Sequence, residues 1–332
     1  MKKIIIIICC LFLVGCDFFK ENTNTKNEVY TTTYPNKYLI NYLYGKHTNI
    51  YSIYPSGVDF KEYTLSEKKL NEYSKSSIFI FNSQDIDRNY AVEMININHN
   101  LKLIDVALNM KKTKSIEELW LNPYNYLMMA KNTKNSLNEY ITDPYIKNEI
   151  NEKYNNLEYE LSKLDATYKE TFKNAKYKTI VADKELFKYL EKYDINVIVL
   201  EENIKTVTIK ETDTLGDLST KYGVSISDIL TYNNKKDETI TAGEIIKIPV
   251  KTIDSSNIEK VKKLITDKEI TYIYTNGEET NSTVNNLITE YNLEKININT
   301  MYSIEGGIEN TNENYITVMN NNLDLYAKEL NK

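Results

Sequence analysis

The first half of the chain alternates short apolar runs with stretches in which apolar residues recur every three or four positions. The runs predict strands and the wider spacing predicts helices. Predicted strands cover residues 29–33, 50–54, 77–81 and 101–105, and predicted helices cover 37–43, 66–73 and 124–140. The run at 77–81 is almost entirely apolar, which is typical of a parallel strand covered on both faces. We therefore expect a doubly wound α/β lobe over residues 29–142.

A long helix is predicted to follow, over residues 143–174. Asp143 is a suitable cap, and Pro144 stands at the first helical position, where proline is favoured. The apolar residues after it are spaced by three or four throughout: Ile146, Ile150, Tyr154, Leu157, Leu161, Leu164, Tyr168 and Phe172. A helix of this length should act as a stiff connector between two lobes.

The second half repeats the alternation of strands and helices, with one interruption. Predicted strands lie at 177–182, 196–200, 270–274 and 295–298, and predicted helices at 185–193, 258–265, 283–291 and 315–330. This pattern predicts a second doubly wound lobe, formed by residues 175–204 together with 251–332. The intervening residues, 205–250, are expected to be an inserted domain, because loops with exposed ends that lie close together tolerate insertions.

The inserted segment has the pattern of a small βααβ unit. A short strand signal at residues 207–209 is followed by Thr214 and Asp217, which have the spacing of a capping box. Ser225 and Asp228 repeat that spacing at a second short helix, and Gly223 between the helices is a stop signal. A closing strand is predicted at residues 244–249.

This segment resembles a LysM domain over its whole length. The resemblance rests on Val207, Asp213-Thr214-Leu215, Lys221-Tyr222-Gly223-Val224, Asn233, Gly243 and Ile248-Pro249, while Thr212 stands where the family usually has glycine. The resemblance implies binding of N-acetylglucosamine polymers such as peptidoglycan in a shallow groove. It assigns one wall of that groove to Asp213, Thr214 and Leu215, and the other to Ile240 and Thr241. The alternative is that these residues only close a small core.

The order of elements outside the insert resembles the metal-specific solute-binding receptors of ABC importers. The most specific matching stretches are residues 32–35, 57–59, 120–123, 187–190 and 314–316, followed by 322–323. This resemblance implies two rigid lobes around a zinc or manganese ion and an ABC permease as partner. It also implies a metal site built from imidazoles and carboxylates, which suit such ions.

The residues at the family's metal-ligand positions are substituted in this chain. Lys61, Glu118 and Lys184 stand where histidines are expected, and the carboxylate position falls on Asn299 or Thr300. Only Glu118 could still be a metal ligand. Lysine ammonium groups would repel a divalent cation, so we expect tight binding of zinc or manganese to be lost.

Three interpretations of the substituted cleft stay open. Lys61 and Lys184 could flank Glu118 and replace the charge of the metal, the groove could be disused, or the lysines could bind an anionic ligand. The two histidines of the chain, His47 and His99, lie in polar surroundings and are expected at the surface.

The N-terminus carries the signals of a bacterial lipoprotein. Lys2 and Lys3 precede an apolar stretch over residues 4–14, which is shorter than the roughly 20 residues that span a bilayer. The apolar stretch is soon followed by Cys16, and the segment that ends at Cys16 resembles a lipobox. We therefore predict a signal peptide over residues 1–15, lipidation of Cys16, and a polar tether over residues 16–28. This places the protein on the extracytoplasmic face of the cell membrane, anchored by lipid.

Composition excludes several classes of function. The net charge of −6 and the lack of a lysine-rich patch interleaved with aromatics argue against nucleic-acid binding. Neither histidine stands near the serine or carboxylates that a hydrolase requires, so we expect no enzyme. Two hypotheses remain: a solute receptor held at the wall, or a wall-binding lipoprotein that uses the receptor fold as a scaffold.

Overall fold

The structure, a computed structural model, describes residues 26–55, 58, 60, 63–277, 279–301 and 314–332. The N-terminal lobe is built on a four-stranded parallel sheet with the strand order β2-β1-β3-β4. Its elements are β1 (Lys26–Thr31), α1 (Tyr34–Tyr44), β2 (Asn49–Ser52), α2 (Glu67–Tyr73), β3 (Ser76–Phe81), α3 (Asp87–Ile97) and β4 (Lys102–Asp105). The apolar run that predicts β3 is almost completely buried, as expected of an inner strand with helices on both faces.

Three helices then lead to the second lobe: α4 (Glu118–Leu121), α5 (Pro123–Tyr140) and α6 (Pro144–Asn174). Asn122 caps α5 by accepting a hydrogen bond from the amide of Tyr124, and Asp143 caps α6 in the same way. One face of the 31-residue α6 is buried at a spacing of three or four residues, through Ile150, Tyr154, Leu157, Leu161, Leu164, Tyr168 and Phe172. This stripe packs on α5 and on the last helix of the chain.

The C-terminal lobe repeats the first architecture. Its elements are β5 (Thr179–Ala182), a 3-10 helix (Glu185–Tyr193), β6 (Asn196–Val199), α9 (Ser255–Thr266), β9 (Tyr272–Thr275), α10 (Ser282–Tyr291), β10 (Glu294–Asn297) and α11 (Tyr315–Leu330), with β7, β8, α7 and α8 in the insert. The parallel sheet has the order β10-β9-β5-β6. Counted within each lobe, both sheets place the first strand between the second and the third. The prediction of an α/β fold with two parallel sheets is confirmed.

The insert forms a separate layer of structure between β6 and α9. It consists of β7 (Asn203–Thr208), α7 (Leu215–Tyr222), α8 (Ile226–Tyr232) and β8 (Ile245–Lys251), and its two strands pair antiparallel with each other. The seven residues of its core form a cluster of their own: Ile209, Leu215, Leu218, Val224, Ile229, Ile246 and Ile248. The insert therefore lies in the crossover connection from β6 to β9.

Two helices of the N-terminal lobe were not predicted from the sequence. The residue before α3, Ile86, offers no capping side chain, and only Tyr90, Ala91 and Met94 give that helix a weak apolar stripe. The four residues of α4 form too short a helix to show any periodicity. The helix predicted over residues 185–193 is present, but as a 3-10 helix.

A carboxyl group is buried inside the N-terminal lobe. Asp87, at the start of α3, is 1% exposed and accepts a 2.7 Å hydrogen bond from the hydroxyl of Tyr54. Its other carboxyl oxygen has no hydrogen-bond partner in the described part of the chain. Burial raises the pKa of Asp87 to about 7, and the negative charge of Asp85 adds to that effect. The folded state therefore favours the protonated form of this group.

Replacing Asp87 by asparagine should change how stability depends on pH. Because the pKa is raised on folding, the wild-type protein pays an increasing cost as pH rises from about 4 to 7, and the cost is constant above that range. Asp87→Asn removes this cost and should raise the melting temperature at pH 8 but not at pH 4. Thermal unfolding measured across this pH range, with the exposed Asp267→Asn as a control, checks the prediction. Parallel curves for wild type and Asp87→Asn would contradict it.

Candidate functional site: the cleft between the lobes

A cleft of about 1090 Å³ opens where the carboxyl ends of the two parallel sheets face each other. One wall follows strands β5, β6, β9 and β10 of the C-terminal lobe, through residues 184–186, 201–205, 276–277 and 297–301. The opposite wall consists of Asp85 and residues 114–117 of the N-terminal lobe. Ligands of open α/β sheets bind at this end of the strands, so this cleft is the candidate functional site.

Hydrogen bonds between buried groups join the lobes beside the cleft. The indole Nε1 of Trp120 donates to the backbone oxygen of Thr300 at 2.8 Å, and the hydroxyl of Tyr315 donates to the backbone oxygen of Trp120 at 2.6 Å. Trp120 and Tyr315 are almost completely inaccessible. A single apolar cluster also runs through both lobes. These contacts fix the two walls of the cleft relative to each other.

The cleft wall contributed by β5 carries Lys184 and, beneath it, the buried Asp183. One oxygen of Asp183 accepts a 3.2 Å hydrogen bond from the backbone amide of Asn276. The other oxygen has no hydrogen-bond partner among the described residues. Burial raises the pKa of Asp183 to about 6, although the positive charge of Lys184 acts in the opposite direction.

Asn299 lines the cleft, but its side chain makes its hydrogen bond within its own wall. Its side-chain oxygen accepts a 3.0 Å hydrogen bond from the amide of Met301, whose φ of 54° is in the left-handed region. Its backbone is held by two hydrogen bonds to the side chain of Asn322. The neighbouring Thr300 donates to the side-chain oxygen of Asn276 at 2.7 Å. These amides therefore stabilise the loop after β10.

Glu118, which the resemblance places at a ligand position, is not among the described residues that line this cleft, and the interpretation in which Lys61 and Lys184 flank it remains a hypothesis. Glu117 lines the cleft, whereas Glu118 lines a neighbouring pocket and accepts a 3.3 Å hydrogen bond from the amide of Lys114. Both residues lie at the start of α4, where successive side chains point about 100° apart, so an error of one position changes the wall. Lys61, predicted as the second lysine of the site, lies outside the described residues.

Charged groups in the cleft are unequally neutralised. The ammonium group of Lys251 lies 2.9 Å from the carboxylate of Glu185 and 2.6 Å from that of Glu201. Its hydrogen bond is the main reason that the pKa of Glu185 is lowered. Lys114, Lys184 and Lys205 also line the cleft, and none of the three makes an ion pair with another described residue.

Neither histidine lies in the cleft. His47 forms a 3.0 Å contact through Nε2 with the carboxylate of Glu149, and Lys46 and Lys153 approach the same carboxylate. The His47 hydrogen bond is the main cause that lowers the pKa of Glu149 to about 2. His99 is exposed in the turn before β4. Within the described ranges, no three histidine, cysteine, aspartate or glutamate side chains are grouped so that they could hold a metal ion.

In the insert, the two loops assigned to a glycan groove lie side by side. The amide of Ile209 donates to the backbone oxygen of Glu244, and the amide of Gly243 donates to that of Ile209, both at 2.8 Å. Ile240 is half-buried against the small core, and Thr241 is exposed. The two loops thus form adjacent walls.

Three of the predicted groove residues have structural tasks. The carboxylate of Asp213 accepts a 2.8 Å hydrogen bond from the amide of Lys210, which closes the first loop. Thr214 caps α7 by accepting a hydrogen bond from the amide of Asp217. Leu215 is 2% exposed in the core of the insert, which fits the alternative that it closes this core. Its helical spacing with Leu218 already indicated a core position.

Comparison with known proteins identifies the family of the chain. Residues 29–242 match the family model "Zinc-uptake complex component A periplasmic". The chain belongs to this family. Its members are solute-binding receptors of metal ABC importers and bind zinc or manganese.

Several individual proteins are similar over most of the chain. The zinc-binding lipoprotein AdcA of Streptococcus pneumoniae is 24% identical over 359 residues, which cover 97% of this chain and 60% of AdcA. The metal ABC transporter substrate-binding lipoprotein ScbA of Streptococcus cristatus is also 24% identical, with 89% of this chain and 98% of ScbA covered. The Zn(II)-bound ZnuA-like domain of S. pneumoniae AdcA has the same fold, with a TM-score of 0.65 at 17% identity over 92% of this chain and all of that domain.

One further similarity is short. The probable N-acetylmuramoyl-L-alanine amidase AmiB of Haemophilus influenzae is 37% identical over 99 residues, which are 29% of this chain and 21% of AmiB. The chain thus spans about a fifth of AmiB and three fifths of AdcA. Among the described helices, none is both long and apolar enough to cross a membrane.

The hydrogen bond that joins the lobes can be tested with an isosteric substitution. Tyr315→Phe removes the hydroxyl that reaches the backbone oxygen of Trp120 and leaves that buried oxygen with one partner fewer. We expect a loss of about 1–3 kcal/mol of unfolding free energy, measured by urea denaturation. Tyr145→Phe, at a side chain that is 78% exposed, is the matched control and should change nothing. Equal stabilities of the two variants would contradict this role of Tyr315.

Proposed function

We propose that this protein is a lipid-anchored receptor of the zinc-uptake family that is tethered to peptidoglycan and receives a solute other than imidazole-coordinated zinc or manganese. The observation that carries the proposal is the chemistry of the cleft. The architecture is that of the family, but lysine, amide and carboxylate side chains stand in the walls without an imidazole, since both histidines of the chain lie elsewhere.

Zinc sites in proteins are built from thiolates, imidazoles and carboxylates. This chain has no imidazole to offer in the cleft, and its three cysteines all lie within its first 16 residues. Two of the lysines that line the cleft, Lys114 and Lys184, make no ion pair with another described residue. At an effective dielectric constant near 20 and a separation of about 4 Å, each would oppose a dication by about 8 kcal/mol. The cleft should therefore hold transition-metal ions poorly. Asp183 and Glu117 are the buried acidic groups that a metal would have to recruit.

The proposed location follows from the N-terminus and the relatives. Cys16 lies outside the described residues, and its resemblance to a lipobox cysteine supports lipidation after removal of residues 1–15. Both relatives with high coverage are named as lipoproteins. The proposed partner for transport is an ABC permease, since relatives of this family work with one.

The insert, residues 205–250, is proposed to be a LysM domain that binds peptidoglycan. The separate core, the capped pair of helices and the two adjacent loops support this identity. Thr241 is exposed beside the first loop, and Ile240 contributes an apolar edge. One such module binds weakly by itself, but lipid anchoring keeps it near the wall and raises its effective concentration.

A second candidate function is a wall-binding lipoprotein that no longer transports a solute. The observation that favours it is the internal use of the polar groups in the cleft wall. The side chains of Asn299, Thr300 and Asn276 are hydrogen-bonded to their own lobe. A thermal shift on addition of a solute would favour the receptor, and its absence with wall binding retained would favour the scaffold.

Metal analysis of protein purified without chelator tests the cleft. We expect zinc and manganese well below one ion per chain, because the cleft lacks imidazoles and presents lysines. The zinc-binding relative AdcA, purified in the same way, serves as the positive control. One zinc or manganese per chain would overturn the proposal for the cleft and leave the wall-binding proposal standing.

Binding to purified cell-wall sacculi tests the insert. Thr241→Trp fills the space between the two loops and should abolish co-sedimentation with sacculi while the melting temperature stays unchanged. Thr220→Trp, at another exposed threonine of the insert, is the matched control and should bind normally. Wall binding that survives deletion of residues 207–249 would show that another part of the protein binds the wall.

A further inference from the structure

A second pocket, which adjoins the interlobe cleft at Lys114, is surrounded by lysines. It has a volume of about 730 Å³ and lies between the loop after β4, helix α5 and the 3-10 helix. Its cationic side chains, which define the lysine pocket, are Lys111, Lys112, Lys114, Lys131 and Lys188. The pocket has not been assigned any role by the family comparison or by the proposed function.

The charge of the lysine pocket is opposite in sign to the net charge of the whole protein. The chain carries a net charge of −6, whereas only two carboxylates, Glu118 and Glu191, line this pocket. Lys188 lies 3.7 Å from Glu191, and Glu118 is hydrogen-bonded to a backbone amide. The other four lysines make no ion pair with a described residue. Such a local concentration of positive charge attracts anions to this face, whereas the net negative charge of the protein repels them from the rest of its surface.

The arrangement of the lysines indicates the kind of anion. Lys111, Lys112 and Lys114 lie on the loop after β4, whereas Lys131 lies on α5 and Lys188 on the 3-10 helix. All except Lys188 are exposed. Lysine presents a hydrated point charge on a flexible stem and does not impose a bidentate geometry. Several such charges spread around an open pocket fit an extended anion with repeated charges better than one compact ion.

Apolar groups between the lysines add a second requirement. Leu108 and Tyr124 line the same pocket and are each 52% exposed, and Met128 lies beside them. The ligand should therefore carry carbon segments between its charges. A phosphodiester-linked polyol, in which short carbon units alternate with phosphates, has both properties.

We propose that the lysine pocket binds a linear phosphodiester-linked polyol of the cell wall. The choice of this polymer rests on the proposed location at the wall, whereas the anion-binding character rests on the lysines alone. The protein would then contact the wall at two chemically different sites, the glycan through the insert and the anionic polymer through this pocket. Two weak contacts on one anchored molecule reinforce each other.

The test uses poly(glycerol phosphate) chains as the probe and the triple variant Lys111→Ala/Lys112→Ala/Lys131→Ala. These three lysines do not line the interlobe cleft, so solute binding there should be unaffected. We expect binding that weakens as salt is raised from about 50 to about 300 mM. The triple variant should lose affinity about tenfold, which corresponds to about 1.4 kcal/mol, because each of the three exposed charge contacts contributes little. The control Lys68→Ala/Lys169→Ala/Lys260→Ala has the same change in charge at exposed positions and should differ from wild type by less than about twofold.

Sacculi separate this proposal from the proposed function. Treatment with hydrofluoric acid removes phosphodiester polymers and leaves the glycan, so the triple variant should be impaired on untreated sacculi and equal to wild type on treated sacculi. If Thr241→Trp loses binding to treated sacculi, this loss tests glycan binding by the insert and does not test the lysine pocket. The proposal is overturned if the triple variant binds the polymer as wild type does, if the control triple is equally impaired, or if single-stranded DNA of equal charge binds as tightly as the polymer.

Discussion

The geometry of the molecule depends on the apolar contact between its two lobes. A continuous core runs from the N-terminal sheet through α5 and α6 to α11, and the indole of Trp120 reaches across it to the backbone of Thr300. Two parallel sheets alone would only place their carboxyl ends near each other. The shared core and the Trp120 and Tyr315 hydrogen bonds hold them at a fixed separation. The shape of the cleft is therefore determined by the fold, whatever ligand the cleft receives.

Charge then determines what the cleft can hold. Lys251, from the last strand of the insert, neutralises Glu185 and Glu201 at the rim, while Lys114 and Lys184 stay without ion-pair partners among the described residues. The same lysine links the insert to the C-terminal lobe, so the insert is part of the electrostatics of the cleft. The cleft of this family architecture thus combines three lysines with the carboxylates of Asp85, Glu117, Glu185, Glu201 and Glu202, and no imidazole of the chain lies in it.

Much of the fold could be predicted because it depends on local patterns. The apolar run of β3, the capped start of α6 and the paired cap signals of the insert each determine an element without reference to distant residues. The short helix α4 and the weakly amphipathic α3 carry no such signal, since α3 is positioned by packing on α2 and β3, and α4 by packing on α5 and the 3-10 helix.

The candidate site was less predictable, because a site depends on which side of an element faces the cleft. Lys184 and Asn299 line the cleft, but the choice between Glu117 and Glu118 depends on a rotation within one helical turn. The sequence gives no sign that Asp183, beside Lys184, is buried, because its partner Asn276 lies far away in the sequence. The lysine pocket escaped prediction for the same reason, since its charges come from a loop and two helices that meet only in the folded chain.

The most direct test of the account is anomalous diffraction at the zinc absorption edge, from crystals grown with excess Zn²⁺. The account predicts no anomalous peak between the lobes near Lys184 and Asp183, with any bound ions confined to surface groups such as His99. A strong peak between the lobes, coordinated by carboxylates of the cleft, would contradict it and would make the protein a metal receptor like its relatives.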